Sequence, residues 1–315
     1  MKTYLDFAST TPMATAVIEK MHAVMSEDSF GNPSSLDHEY GIKAKNIIEQ
    51  SRNEVASLIN AKSEEIVWTS GATESNNLAI VGFHQFQYQN QALRFVTSHL
   101  EHKSVIESMQ SVEALGSNLS YIQPNKDGQI DLETFTRQLD PDATFVSCMH
   151  INNETGAVND IGEIGRYCRK NEIIFHVDAA QSVGKISIDV SDMCIDLMSM
   201  SAHKVYGPKG VGALFINKDS VGRVKSLIVG GGQERGMRSG TLPTHQIAGM
   251  GVAYRISKQT MTQDIEHIKE CRDTFLEKLS ILHGWKVNGS IDNAFPGILS
   301  ISFSDLYSES LIYAM

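Results

Sequence analysis

The chain has 315 residues, of which 41% are hydrophobic and 20% charged, and its formal net charge is −10. This acidic balance disfavours binding to a nucleic-acid backbone, which attracts basic surfaces. The first residues lack the charged and apolar regions of a signal peptide, and no apolar run approaches the roughly 20 residues that cross a bilayer. We therefore expect a cytoplasmic protein that contacts neither membranes nor nucleic acid directly.

Strand-like and helix-like segments alternate through most of the chain. Apolar residues at helical spacing predict a helix over residues 43–59, and a strand follows at 65–69. Further strands are predicted at 93–97, 144–149, 173–178, 197–201 and 212–216, and further helices at 103–115 and 161–170. Strands separated by helical crossovers indicate an α/β fold with a mostly parallel sheet covered on both faces.

The last part of the sequence has a different pattern. Residues 246–283 form long helical pieces without intervening strands, and strands are predicted at 285–287 and 298–303. We therefore predict two domains. A large α/β domain covers residues 13–249, and a partial, smaller α+β domain is formed by residues 1–12 and 250–315.

The sequence gives little indication of a metal site or of a disulfide bond. The cysteines are Cys148, Cys168, Cys194 and Cys271. They are scattered without a CxxC spacing, which predicts neither a zinc site nor a disulfide framework. His99 and His102 have helical spacing, but no third ligand accompanies them, so no metal site is expected.

Two candidate sites for polar chemistry come early in the chain. The segment Ser70–Asn77 follows a predicted strand, contains Gly71 and opens a helix, so its free N–H groups suit an anion such as phosphate. Plain helix capping explains the same residues. The segment His99–Ser104 offers an imidazole that could stack on a flat ring or act as an acid or base, or lie on the surface.

Two further candidates follow buried strands. Asp178 comes directly after an apolar strand, where its carboxylate suits a ring nitrogen that must stay protonated, although a helix N-cap is the alternative. Lys204 follows another strand between small and hydroxyl residues, where partial desolvation lowers a lysine pKa and favours imine formation. A surface lysine is the ordinary alternative. The glycines of this chain fit neither the P-loop nor the dinucleotide-binding pattern.

The order of these segments predicts a site for pyridoxal 5′-phosphate (PLP), with Lys204 lying 26 residues after Asp178. At this point the sequence resembles the fold-type I PLP-dependent enzymes of the class V aminotransferase group, and within them the cysteine desulfurases. The matching stretches are Tyr4–Pro12, Phe30–Ser35, Thr69–Asn77, Glu101–Lys103, Asn152–Gly156, Val177–Gly184, Ser201–Gly212 and Gly230–Pro243.

The resemblance implies a role for each matching residue. Lys204 would carry PLP as a Schiff base and move protons, Asp178 would pair with the pyridine nitrogen, and Gln181 would bind the phenolic oxygen. His102 would stack on the ring and act as acid or base, and Asn153 would lie near cofactor and substrate. Further residues of the cofactor site would be Ala72, Thr73, Ser201 and His203, with Thr241 reaching the phosphate of a neighbouring subunit, and Asn32 would be a second substrate-binding residue.

The resemblance also implies an activity and partners. L-cysteine would be converted to L-alanine, and the sulfur would pass as a persulfide to acceptor proteins for iron–sulfur clusters, other sulfur-containing cofactors or modified nucleic acids. A homodimer with shared sites is expected. The alternatives are a PLP-binding homologue without desulfurase activity and an enzyme similar to selenocysteine lyase.

In the cysteine desulfurases that this sequence resembles, the nucleophilic cysteine and the carboxylate-binding arginine come after the helix that corresponds to the one beginning near Glu309 here. The sequence given ends before both positions, and none of its four cysteines matches a nucleophile motif. We therefore expect these residues to be the larger part of a longer desulfurase-derived chain, and not to complete sulfur abstraction alone.

Overall fold

The computed structural model of the protein describes residues 3–26, 29–88, 92–304 and 306–314. Positions 1, 2, 27, 28, 89–91, 305 and 315 of the two predicted domains lie outside these residues. The helices are α1 (Thr15–Ser26), α2 (Glu39–Leu58), α3 (Ala72–Asn77), α4 (Phe83–Gln87), α5 (Lys103–Ala114), α6 (Leu132–Gln138), α7 (Ile161–Lys170), α8 (Thr244–Leu279) and α9 (Ser308–Ala314). The strands are β1 (Ile66–Thr69), β2 (Arg94–Ser98), β3 (Asn118–Ile122), β4 (Phe145–Met149), β5 (Ile174–Asp178), β6 (Leu197–Ser201), β7 (Gly212–Ile216), β8 (Trp285–Val287) and β9 (Ile301–Phe303).

Seven strands form the central sheet in the order β1-β7-β6-β5-β4-β2-β3. The pairs from β3 to β6 are all parallel, whereas β7 runs antiparallel to both β6 and β1. The predicted α/β fold with a mostly parallel sheet is therefore confirmed, with β7 as the exception. Because the parallel strands share one direction, their carboxyl ends meet at a common edge.

Both faces of the sheet are buried, which explains the nearly continuous apolar runs of its central strands. All five residues of β4, of β6 and of β7 are buried. Side chains alternate across the sheet, so Val67 packs into one hydrophobic core and its neighbour Trp68 into the other. The sheet is thus a rigid layer from which residues at strand ends project.

The long helix α8 connects this layer to the last part of the chain. Its first third is buried as far as Tyr254 and packs against α1 and α2, whereas most of its later residues are exposed. β8 and β9 then form a separate antiparallel pair in which Trp285 faces Phe303. The helix passes position 250 without a break, and the domain limits 13–249 and 250–315 stay a prediction. None of the helices described combines the length and apolar character of a bilayer span.

Two helices differ from what the spacing of apolar residues predicts. The predicted helix at 43–59 begins at Glu39 because His38 caps it, with its ring Nδ1 accepting from the Gly41 N–H at 3.1 Å. The helix after β1 contains a π-helical segment, Leu78–Gly82, between α3 and α4. These departures depend on local hydrogen bonds that apolar spacing does not report.

Candidate active site

A cavity of about 690 Å³ opens at the carboxyl ends of β4, β5 and β6, where Met149, Asp178 and Ser201 line it. This is the edge at which open α/β sheets bind ligands. Nine predicted site residues line the cavity together, and they are Ala72, Thr73, His102, Asn153, Asp178, Gln181, Ser201, His203 and Lys204.

Lys204 is half-buried at the end of a 3₁₀ turn, Ala202–Lys204, that directly follows β6. Its Nζ donates a hydrogen bond to the Ala8 carbonyl oxygen at 2.5 Å. Burial lowers the pKa of Lys204, while the negative charges of Asp178 and Asp6 act to raise it. A lowered pKa increases the fraction of neutral amine, which is the form that attacks a carbonyl carbon.

Asp178 ends β5 and is buried at the base of the cavity. Its Oδ1 accepts from the Ala180 N–H at 3.0 Å, and its Oδ2 accepts from Asn76 Nδ2 at 2.8 Å. These bonds fix the carboxylate and leave it lone pairs for a further donor. No described helix begins at Asp178, so the helix N-cap interpretation is wrong, and the residue presents its carboxylate to the cavity from a turn.

His102 is held at the N-terminus of α5. Its Nδ1 accepts from the Ser104 N–H at 3.1 Å, which places the proton of the neutral ring on Nε2. The neighbouring Glu101 points inward, where its Oε1 accepts from the Met149 N–H at 2.8 Å. His99 does not line the cavity and stacks instead on Tyr121, with ring centroids 4.5 Å apart.

The turn before α3 gives the cavity a concave wall. Gly71 has a φ of +154°, and a Cβ placed on it would meet no atom within 4 Å. The wall continues on the far side with Ser201, whose Oγ is buried without a hydrogen-bond partner among the described residues. His203 follows, and burial and the nearby Lys204 lower its pKa to about 4.

A segment near the start of the chain closes the cavity, and sequence patterns gave it no role. The Ala8 carbonyl accepts from Gln181 Nε2 at 2.7 Å as well as from Lys204. Thr11 docks next to it, because both its N–H and its Oγ1 donate to the His203 carbonyl. The stretch Tyr4–Pro12 was noted only as part of a family resemblance. No periodic signal links it to residues almost two hundred positions later.

Two ion pairs hold the loop 228–243 in place, and the first of them joins it to the cavity wall. Arg238 Nε donates to Glu74 Oε1 at 2.8 Å, and Glu74 also accepts from the Ser70 N–H. Further back, the Glu234 carboxylate forms a buried, two-pronged ion pair with Arg52, at 2.7 and 2.9 Å. The loop therefore holds a defined position beside the anion turn.

Two predicted site residues lie outside the walls of this cavity. Thr241 is exposed on the loop 228–243, and Asn32 is exposed with its Oδ1 accepting from the Ser34 N–H. Asn153 lies at the cavity on the turn that Asn152 holds through its side-chain oxygen. The assignments of Asn32 and Thr241 stay predictions.

The four cysteines, all in the described part of the chain, lie away from the cavity walls. Cys148 and Cys168 are buried, and burial raises the pKa of each thiol. Cys194 is partly exposed and Cys271 is fully exposed on α8. None of them is placed to attack a ligand in the cavity.

Comparison with known proteins gives consistent results. The pattern of the family described as aminotransferase class-V matches residues 3–314. The chain is 48% identical over 313 residues to the cysteine desulfurase IscS of Haemophilus influenzae, which covers 99% of this chain and 77% of that protein. A NifS-like protein of known structure superposes with a TM-score of 0.93 at 33% identity, covering 99% of this chain and 84% of that one. A structure of SspA in complex with cysteine superposes with a TM-score of 0.86 at 38% identity, covering 100% and 87%.

Proposed function

The chain belongs to the aminotransferase class-V family and, within it, to the cysteine desulfurases, and from that premise we propose that its cavity converts L-cysteine to L-alanine by removing the sulfur. The protein is a PLP-dependent enzyme. The observation that carries the assignment of the site is the half-buried Lys204, which follows β6 directly and shares one cavity with the buried Asp178.

The residues of the cavity fit PLP. Bound PLP supplies a ring that draws electrons away from the α-carbon of an attached amino acid. Asp178 is buried, is fixed by two hydrogen bonds and has acceptor capacity left, which suits a protonated pyridine nitrogen. Gln181 offers its amide to the phenolic oxygen, and His102 offers a ring for stacking.

The opposite wall fits the phosphate group. Ser201 Oγ is a buried hydroxyl without a partner among the described residues, and a buried polar group of this kind normally has one. The space beside Gly71 is open, and the N–H groups of Ala72 and Thr73 start the following helix. We assign the phosphate to this wall, with His203 beside it as a neutral ring, since its pKa lies near 4.

Lys204 and His102 are the groups we assign to proton transfer. Burial lowers the pKa of Lys204, which favours the neutral amine that can take up a proton and give it back. His102 Nδ1 is occupied by Ser104, so Nε2 is the ring atom that exchanges a proton in the cavity. Asn153, and Asn32 as a second residue, are assigned to the substrate.

The sulfur acceptor is a thiol other than the four cysteines of this sequence. Cys148 and Cys168 are buried thiols with raised pKa values, and neither Cys194 nor Cys271 reaches the cavity. We propose that the sulfur leaves as a persulfide on such a thiol and passes to acceptor proteins. Iron–sulfur cluster assembly is the destination that the name IscS of the relative supports.

A second copy of the chain is the partner we propose for the loop 228–243. Val229 on this loop is 84% exposed and Phe30 is 74% exposed, so both side chains are available for a protein contact. Arg238 fixes the loop to Glu74, which leaves Thr241 facing outward. A homodimer would bring Thr241 to the phosphate wall of the partner. We propose that this dimer works in the cytoplasm.

The assignment of Lys204 is tested by reconstituting the protein with PLP and measuring visible absorbance, borohydride-trapped mass and alanine release from L-cysteine with an added thiol. Lys204→Ala should abolish the trapped mass and reduce alanine release by on the order of a thousandfold or more. Lys170→Ala, at the exposed end of α7 on the other edge of the sheet, is the matched control and should keep both. A Lys204→Ala protein that still traps PLP would refute the assignment.

A further inference from the structure

Lys185 contacts Gln181, a residue of the cofactor cavity, and neither the sequence motifs nor the proposed chemistry uses it. Its Nζ donates a hydrogen bond to Gln181 Oε1 at 2.8 Å. The same ammonium group lies 5.7 Å from the centroid of the Phe295 ring. The side chain is thus held between an aromatic face on one side and the amide of Gln181 on the other.

A protonated lysine side chain has donors and no acceptor, so the atom that Gln181 turns toward the Lys185 ammonium group is its oxygen. The amide nitrogen then points the other way, and Nε2 donates to the Ala8 carbonyl at 2.7 Å. An amide nitrogen carries two N–H groups, and the contacts of the described residues use one of them. The second remains available to a ligand in the cavity that Gln181 lines.

We propose that Lys185 is a positioning residue, which holds the Gln181 amide so that Nε2 donates to the phenolic oxygen of PLP. The inference deepens the proposed function and rests on its assignment of this cavity to PLP. Without Lys185, only the Ala8 carbonyl holds the amide of Gln181, and a rotated amide would present its oxygen to the phenolic oxygen, which repels it. Lys185 therefore sets which end of Gln181 the cofactor meets.

The charged surroundings of Lys185 are consistent with this role. The groups that face it are Lys204, whose charge adds to burial in lowering the pKa of Lys185 to about 7, and His203, whose pKa Lys185 helps to lower. The negative charges of Asp178 and Asp6 act to raise the pKa of Lys204. The protonated form of Lys185 has no acceptor and therefore fixes the orientation of the Gln181 amide more strictly than the neutral amine does.

The visible absorbance of the reconstituted holoenzyme provides the test, because its pH midpoint depends on how well the phenolic oxygen is stabilised as an anion. Removing a hydrogen bond to that oxygen raises its proton affinity. Lys185→Met should raise the midpoint by about one pH unit. Lys185→Arg keeps the donor and should leave the midpoint within about 0.3 units of the starting protein.

The double variant separates positioning from a direct effect of charge. On a Gln181→Ala background the amide is absent, so adding Lys185→Met should shift the midpoint little further. An equal shift on both backgrounds would overturn the proposal, as would an unchanged midpoint in Lys185→Met. If Lys185→Met does not fold, Lys185→Arg decides, because a shift as large as that of Gln181→Ala contradicts the proposal.

Two controls keep the outcomes distinct. Lys258→Met removes a lysine whose Nζ bonds the Ser57 carbonyl on α2, away from the cavity, and should not change the midpoint. A starting protein that traps no PLP on Lys204 would contradict the proposed function itself. If PLP is trapped and only the Lys185 prediction fails, the proposed function stands and the positioning role is refuted.

Discussion

Among the individual residues, Glu101 has an unusual environment for a carboxylic acid. Its side chain is buried behind the cavity, and one oxygen accepts from the Met149 N–H, while the other has no partner among the described residues. Burial raises the pKa of Glu101 well above its ordinary value, and the charge of Asp178 acts in the same direction. The folded protein therefore holds a proton that the unfolded chain releases above about pH 4.5.

A carboxyl whose pKa is raised by folding stabilises the protein below its ordinary pKa, and this contribution is lost as the pH rises through the folded value. Glu101→Gln keeps the shape without an ionisable proton. The unfolding free energy of the variant should therefore fall less between pH 5 and pH 8, by on the order of 1 kcal/mol. Urea unfolding at both pH values measures this, with Glu113→Gln on the exposed face of α5 as control. Equal losses in Glu101→Gln and the starting protein would contradict the prediction.

The sequence correctly predicted those cavity residues that are both chemically reactive and placed near the end of a strand. Asp178 and Lys204 each follow a buried strand, and parallel strands bring their ends together. The Ala8 carbonyl could not be predicted in this way, because its contacts join segments 173 and 196 positions apart. Glu101 and Lys185 were missed for a related reason, since their roles depend on burial and on a partner from another segment.

Among the elements, β7 is the strand whose packing constrains the site most directly. It begins at Gly212, which pairs with Ser201 on β6 and with Thr69 on β1. A Cβ at position 212 would lie 2.5 Å from the Met200 carbonyl oxygen and 2.6 Å from the Gly71 Cα. The absence of a side chain therefore lets the anion turn approach the strand.

Gly212→Ala should displace the turn at Gly71 and weaken PLP binding by about tenfold or more, since backbone atoms leave no flexible group to move aside. Equilibrium titration of the apoprotein with PLP measures the change. Gly162→Ala is the control, because its Cβ would meet only the flexible Arg166 side chain, at 3.4 Å, on α7. PLP affinity that is unchanged in Gly212→Ala would show that the turn tolerates the displacement.

The predicted bounds of the helices and strands agree closely with the structure where the apolar runs are long. β4 and β5 each begin one residue later than predicted and end where predicted, and α7 has the predicted bounds. β3 was missed because it lies at the sheet edge with a single buried residue, which leaves no clear periodicity. The helical pieces predicted over 246–283 form one helix, α8, which ends at Leu279.

At the scale of the whole molecule, the ion pair of Arg52 and Glu234 joins α2 to the loop 228–243, across 182 positions of sequence. Both side chains are almost fully buried, at 4% and 3% exposure. Glu234 also accepts from the Trp68 N–H at 2.8 Å, and the guanidinium lies over the Trp68 ring. Loss of one partner would leave the other charge buried.

Arg52→Met should lower the unfolding free energy by about 3–5 kcal/mol, because the Glu234 carboxylate would remain without its cation. Arg137→Met breaks an exposed pair with Glu133 in α6, at 64% and 88% exposure, and should cost about 0.5 kcal/mol or less. Denaturant titration compares the two variants. Similar losses in both would mean that the buried pair contributes no more than a surface pair.

The docking of Thr11 on His203 has a consequence for the time at which the protein matures. The two residues are 192 positions apart, and the hydrogen bonds between them complete the wall next to Lys204. A ribosome adds roughly 5–20 residues per second, so about 10–40 s pass between the synthesis of Thr11 and that of His203. The nascent chain therefore acquires its PLP pocket only after the segment that contains His203 and Lys204 has been synthesised, and the first segment of the pocket cannot capture the cofactor before then.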